Sequence, residues 1–257
     1  MKKYLISIES ANSERLKKLY SQATFYKYHD EFKQFGVIGK NLSVSEYFQQ
    51  GVAGKKKPMT PGELGCTMSH IAALKDFLSS DDEYAIIFED DVIERFEVDF
   101  NQLEEQVKRI GLTTPLFLSL GGIQMKICRK VKGKYQPNFL LDQHVLKVDP
   151  FFYENLAYAY AYAYIVDREM AKILIDFHRS PRVYDQWADL IISKQSINIY
   201  VSYIFDHPEI ENEKDKSYLE NERDMLTKIT KNKLDFDFSY IVKKIKGFFL
   251  QNYKLNT

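Results

Sequence analysis

One short stretch limits the architecture more than any other. Tyr84-Ala85-Ile86-Ile87-Phe88 is a continuous apolar run that follows the turn Ser79-Ser80-Asp81-Asp82 and leads directly into Glu89-Asp90-Asp91. An apolar run of this length without polar alternation marks a central strand covered on both faces. Such a strand needs helices on each side of its sheet, so the neighbouring segments should alternate between strand and helix.

They do. Tyr4–Ile8 is a short β-prone run, and Asn12 or Ser13 is placed to cap a helix over Glu14–Ala23. A short strand and turn are expected around Gly36–Lys40, and Gly51–Met59 should be an exposed loop. Thr60, Pro61 and Glu63 form a capping box with proline at the first helical position. Behind it run two apolar stripes, Leu64/Met68/Ile71/Leu74/Leu78 and Glu63/Cys66/His70/Ala73/Phe77, which predict a helix buried on two sides. A helix over Val98–Ile110 should close at Gly111, and Leu116–Leu120 should be a strand ended by Gly121-Gly122. Tyr158 to Tyr164 alternates strictly with alanine, which predicts one strand through Val166 with all four tyrosines on one face. Asp167 should cap a helix through Phe177, and Asp185 another carrying Trp187, Leu190, Ile191 and Ile192. Ile197–Ile204 is the last strand expected, ending in Asp206-His207-Pro208.

At 257 residues the chain fits one large domain with a small appendage. The balance of 36 Lys+Arg against 36 Asp+Glu lacks the basic footprint of a nucleic-acid partner. The charge is uneven locally. Glu209–Asp224 carries seven acidic and three basic residues, whereas Lys228–Thr257 carries seven lysines and two aspartates. We therefore divide the chain into a domain over 1–225 and a basic amphipathic tail over 226–257. The aromatics Tyr240, Phe248 and Phe249 among its lysines suit an anionic membrane surface. Packing back onto the domain is the other reading. Two cysteines, Cys66 and Cys128, do not make a disulfide scaffold, so reduced thiols and a cytoplasmic setting are expected. The apolar stretch Tyr4–Ile8 is too short for a signal peptide, and no window reaches transmembrane length.

The residues fit for chemistry are few. Three carboxylates at the end of a buried strand need either a hard cation, Mg²⁺ or Mn²⁺, or full exposure to water. In an open α/β sheet the crevice beyond the strand ends is where ligands bind. His207 could complete a Mn²⁺ shell, if the sheet brings it near Asp91. Asp185 is either a general base for an acceptor hydroxyl or simply a helix cap. His70 and the tyrosines, Tyr164 among them, either line a site or pack the core. Lys55-Lys56-Lys57 either steers a phosphorylated ligand or is a solvated loop.

Several blocks, in order over roughly residues 4–210, resemble glycosyltransferase family 25, the bacterial lipooligosaccharide galactosyl- and glucosyltransferases. They are Ile6-Ser7-Ile8 through Arg15, Gly62-Glu63-Leu64-Gly65-Cys66-Thr67-Met68-Ser69-His70, Phe88-Glu89-Asp90-Asp91-Val92, Ala163-Tyr164-Ile165-Val166 with Ala171, and the looser Pro181–Asp185. The turn near Gly39 lacks an acidic residue before the glycine, and the Tyr/Ala strand lacks the family's glycine. The resemblance implies a GT-A-like fold, a Rossmann-like mixed sheet flanked by helices, here with a C-terminal helical tail. It implies a UDP-sugar donor, Mn²⁺ (or Mg²⁺), and inverting transfer of a hexose, galactose favoured, to a lipooligosaccharide core acceptor. By that likeness Asp91 and Asp90 hold the metal and diphosphate, and Glu89 joins them at the donor; His207 is the further metal ligand that its place at the end of the last strand suggests. Ser7, Ile8 and Arg15 lie at the nucleotide end. Asp185 is the base candidate, and Ser69, His70 and Tyr164 line the site. The implied setting is the inner face of the inner membrane. Two other classes compete: a non-catalytic membrane-surface scaffold, and a metal-dependent phosphotransferase or nuclease, which the missing Gly-Lys-Ser/Thr phosphate loop counts against.

Overall fold

A computed structural model describes residues 1–125, 128, 131–149, 160–193, 196–208, 222, 247 and 250–255. β1 (Lys2–Ile6) opens the chain, and Ser13 caps α1 (Glu14–Tyr20) by accepting the Leu16 N–H at 3.2 Å. α2 (Ala23–Lys27) leads to β2 (Phe32–Phe35), so the strand expected at Gly36–Lys40 lies earlier. The glycines explain the shift. A Cβ on Gly36 would sit 2.0 Å from the Ser7 carbonyl oxygen, and one on Gly39 1.7 Å from that of Pro61. The segment is a close crossing of backbones that only glycine permits.

α3 (Val44–Tyr47) precedes α4 (Pro61–Leu78), whose start is the capping box: Thr60 accepts from the Glu63 N–H and Glu63 from the Thr60 N–H. Its burial is narrower than two stripes suggest. His70, Ala73, Leu74 and Phe77 are buried, whereas Met68, Ile71 and Leu78 are half-buried and line a groove of about 700 Å³ between α4 and the later helix Arg168–Phe177.

β3 (Tyr84–Glu89) is the predicted central strand, followed by β4 (Ile93–Glu94) and α5 (Phe100–Ile110). Asp99 caps α5, and Gly111 closes it in the left-handed conformation at φ 66°. After β5 (Leu116–Ser119) come β6 (Lys132–Tyr135), β7 (Leu146–Val148) and β8 (Ala163–Asp167). Asp167 caps α6 (Arg168–Phe177), accepting from Met170 N–H at 2.7 Å and also from Leu116 N–H at 2.9 Å. α7 (Trp187–Ile192), β9 (Asn198–Val201), β10 (Phe205–Asp206) and β11 (Gln251–Asn252) complete the described elements.

The main sheet runs β11-β6-β7-β9-β5-β8-β3-β1-β2. β1 is parallel to both β2 and β3, and β5 to β9, while β8 runs antiparallel between β3 and β5. This is the mixed, helix-flanked α/β sheet expected from the sequence. Alternation sends Ala85 and Ile87 into the cluster under α4 and α6, and Ile86 and Phe88 into the one under α1, α2 and α5. β4 and β10 form a separate antiparallel ribbon, pairing Ile93 with Asp206.

The tyrosine run does not form one strand. β8 starts only at Ala163, Tyr160 has φ 91°, and Tyr158 lies outside the described residues. Tyr162 and Ala163 both pack in one core cluster while Tyr164 packs in the other. The Tyr162 hydroxyl is drawn to Gln124 Nε2 at 3.0 Å and Gly122 N–H, and these contacts override the alternation. Most of the 226–257 tail also lies outside the described residues. Its end docks on the domain: Gln251–Asn252 pairs with β6, and the Tyr253 hydroxyl donates to the His144 carbonyl at 2.9 Å.

His178, just after α6, is buried, and neither ring nitrogen has a hydrogen-bond partner among the described residues. Burial, then the Arg182 cation and His70, push it down to about 3. The unfolded chain takes up this proton near pH 6.5, the folded chain only near pH 3, so stability falls as pH drops through that window. Chemical denaturation from pH 7 to 4.5 should therefore show a shallower acid loss in His178→Phe, by about one proton in slope. Parallel curves for the two proteins would contradict this.

Candidate active site

The acidic trio at the end of β3 is divided among three neighbours. Glu89 is the last strand residue and turns toward α4, where its Oε1 lies 3.3 Å from His70 Nε2. His70 Nδ1 is 2.9 Å from the Tyr164 hydroxyl, which in turn is 2.7 Å from that of Tyr184. The His70 ring also stacks on Tyr184, with centroids 4.0 Å apart and planes 6° from parallel. Burial pushes both hydroxyls far up, so they stay protonated and can donate.

Asp90 turns the other way, toward β1 and α1. Its Oδ2 accepts from Ser7 Oγ and its Oδ1 from Arg15 Nε. Burial raises its carboxyl to about 6, against the opposing pull of Arg15 and Ser7. Both Asp90 oxygens accept a hydrogen bond, one from Ser7 and one from Arg15. Its role here is to hold Arg15.

Asp91 is different. Its Oδ2 accepts from Arg15 Nη2 at 2.8 Å and faces His207 Nε2 at 3.5 Å. Its Oδ1 is buried with no hydrogen-bond partner among the described residues. Burial alone would raise Asp91, but His207 and Arg15 outweigh it and hold the carboxyl low; Asp91 correspondingly holds His207 up against its burial. His207 Nδ1 donates to the Pro208 carbonyl at 2.8 Å, which turns Nε2 toward Asp91. A ring nitrogen fixed from behind by a carbonyl, facing a carboxylate with an orphaned buried oxygen, is a donor set that fits a divalent cation. The β4–β10 ribbon produces this meeting: it starts two residues after Asp91 and ends one residue before His207.

Asp185 does not cap α7; the cap residue is Gln186, with no side-chain bond. Instead Asp185 Oδ2 accepts the Tyr160 N–H at 3.1 Å. The Tyr160 ring centroid is 5.7 Å from that of His207, so Tyr160 links the base candidate to the Asp91–His207 pair. Tyr160 holds an unfavourable positive φ for a non-glycine residue, a cost usually borne where a site imposes it.

Other expected residues fall elsewhere. Ser69 is buried and committed, accepting from Val37 N–H and donating to the Gly65 carbonyl, each at 2.8 Å. Ile8 is half-exposed beside Ser7. Lys55 donates to the Pro181 carbonyl, tying its loop to the segment that carries Asp185, whereas Lys56 and Lys57 are exposed. The groove between α4 and α6 is lined by none of Asp90, Asp91, Asp185 or His207, so chemistry rather than cavity size locates the site. Sequence reasoning missed Gln124 and Asp206, which pair at 2.8 Å next to His207. Their only sequence signals are the Gly121-Gly122 turn and adjacency to His207.

Residues 1–188 match glycosyltransferase family 25 (LPS biosynthesis protein). The chain belongs to that family. No curated protein matches it. Among solved structures it aligns with the crystal structure of A197 from STIV at 15% identity and TM-score 0.40, over 81% of this chain and 85% of that one. Within the family-25 region lie Ser7, Arg15, Glu89, Asp90, Asp91 and Asp185; Asp206 and His207 lie beyond it. Membership makes this a glycosyltransferase of LPS biosynthesis, a protein that binds a sugar donor and an LPS acceptor. Among the described residues no helix is long and apolar enough to cross a membrane.

Proposed function

We propose that this chain transfers a hexose, galactose favoured, from a UDP-sugar to a hydroxyl of a lipooligosaccharide core, with inversion and in one displacement. The observation that carries the reading is the orphaned Asp91 Oδ1 beside His207 Nε2, at the carboxyl end of the central strand. Asp91 and His207 would hold the cation, Mn²⁺ or Mg²⁺. When bound, it would neutralise the charge that builds on the departing nucleotide diphosphate.

The chain's own residues do the rest. Arg15 spans Asp90 and Asp91, and Ser7 braces Asp90 from β1, so the carboxylates reach the ligand already oriented. Asp185, anchored through Tyr160 N–H, takes the proton from the acceptor hydroxyl as that oxygen attacks the sugar. Inversion requires the acceptor oxygen and the diphosphate to lie on opposite faces of the sugar. Asp185 therefore belongs on the face away from Asp91. The basic 226–257 segment supports a peripheral place on the inner face of the inner membrane, with its lysines on anionic lipid.

A thermal-shift titration tests the donor reading. At about 100 times its dissociation constant a ligand adds about 2.7 kcal/mol, which for a chain of this size is a midpoint rise of roughly 5–10 °C. UDP with Mn²⁺ should give a rise of that order, and EDTA should remove most of it. An unchanged midpoint, or a UDP shift indifferent to EDTA, counts against the proposal.

A further inference from the structure

The contacts of Glu89 with α4 play no part in the transfer just described. Cys66 and His70 are four residues apart on α4 and so project from the same face. Glu89 meets them from the end of β3. One thiol sulfur, one ring nitrogen and one carboxylate oxygen from these three residues lie within 4.8 Å of one another.

We propose that Cys66, His70 and Glu89 form a second metal site, selective for Zn²⁺. The chemistry of the donors favours that ion. A thiolate and an imidazole are softer than the carboxylate and carbonyl oxygens that suit Mg²⁺ or Mn²⁺, whereas zinc takes sulfur, nitrogen and oxygen together. Three protein ligands leave a fourth tetrahedral corner for water. The bond lengths of such a centre put its ligand atoms roughly 3.5 Å apart, so side-chain rotation of about 1 Å completes it from the arrangement seen.

The support around His70 fits the role. Nε2 lies 3.3 Å from the Glu89 carboxylate and so carries the ring proton, while Nδ1 accepts from the Tyr164 hydroxyl at 2.9 Å. To take an ion the ring shifts that proton to Nδ1, which then donates to the Tyr164 hydroxyl and leaves the Nε2 lone pair facing the site. Tyr184 stacked on the ring fixes its plane. Outer partners of this kind set the tautomer and orientation of metal-bound histidines. Cys66 and Glu89 are each partly exposed, which gives an ion a way in. On binding, the Cys66 thiol loses its proton to solvent and the sulfur electron pair goes to the ion. Zinc here would bridge α4 to the end of β3, one residue before Asp90. This site does not depend on the transferase reading, since Asp91 and His207 take no part in it.

The test is cobalt and zinc titration of the full chain, with Asp91→Asn to remove the other proposed centre. In both proteins Co²⁺ should produce a thiolate-to-cobalt charge-transfer band in the near ultraviolet, which Zn²⁺ bleaches at one equivalent. Cys66→Ser should abolish the band and weaken Zn²⁺ binding by roughly tenfold or more, on the scale of damage to a metal shell. Cys128→Ala should change neither. Absence of the band at saturating Co²⁺ in the unaltered chain would overturn the site, and that result needs no variant to fold. A band kept in Cys66→Ser or lost in Cys128→Ala would overturn it equally. In those cases the Tyr184–Tyr164–His70–Glu89 contacts are a hydrogen-bonded chain and nothing more.

Discussion

Asp91→Asn should lose transferase activity by roughly 10²–10⁴-fold while the chain stays folded. The magnitude follows from the several kcal/mol that a metal contributes to a charged leaving group, at about 1.36 kcal/mol per tenfold in rate. Asparagine keeps the shape and an acceptor oxygen for Arg15 Nη2, but it removes the charge that faces His207 Nε2. Asp90→Asn is the informative comparison. Both Asp90 oxygens already serve Ser7 and Arg15, so its loss acts by loosening Arg15 and should cost less than Asp91→Asn. Turnover and Mn²⁺ affinity measured on both variants decide between them. Near-normal turnover in Asp91→Asn, or equal losses in the two, would remove Asp91 from the metal role.

Asp185→Asn should lower kcat by about 10²–10⁴-fold, the usual contribution of a positioned general base. The donor KM should hardly change. The amide oxygen can still accept the Tyr160 N–H, so the backbone turn at Tyr160 and its ring beside His207 are preserved. The UDP and Mn²⁺ thermal shift should survive for the same reason. If kcat is retained while KM rises, Asp185 positions a ligand and another group accepts the proton.

What the sequence disclosed was mostly local. The Tyr84–Phe88 run, the Thr60–Glu63 box, the Asp167 cap and the Gly111 terminator each depend on a few adjacent residues, and each stands as expected. What it hid was tertiary. Nothing within Glu89-Asp90-Asp91 says that three elements will divide the trio. The division depends on His70 in α4, on Ser7 and Arg15 near β1, and on His207 arriving through the β4–β10 ribbon. Asp185 had every local mark of a cap and is claimed instead by the Tyr160 N–H, 25 residues away. The tyrosine alternation suggested a uniform strand, but the Tyr162 hydroxyl finds Gln124 and the strand begins only at Ala163. In both places a polar group was satisfied by a distant partner at the expense of the local pattern.

The most direct test of the central claim is UDP release from UDP-galactose, UDP-glucose, UDP-N-acetylglucosamine and UDP-N-acetylgalactosamine, each with Mn²⁺ and with EDTA, in the unaltered chain and in Asp91→Asn. Our account predicts slow hydrolysis of one donor above the others, abolished by EDTA and absent in Asp91→Asn. Release that persists in EDTA, or no release from any donor, would contradict it.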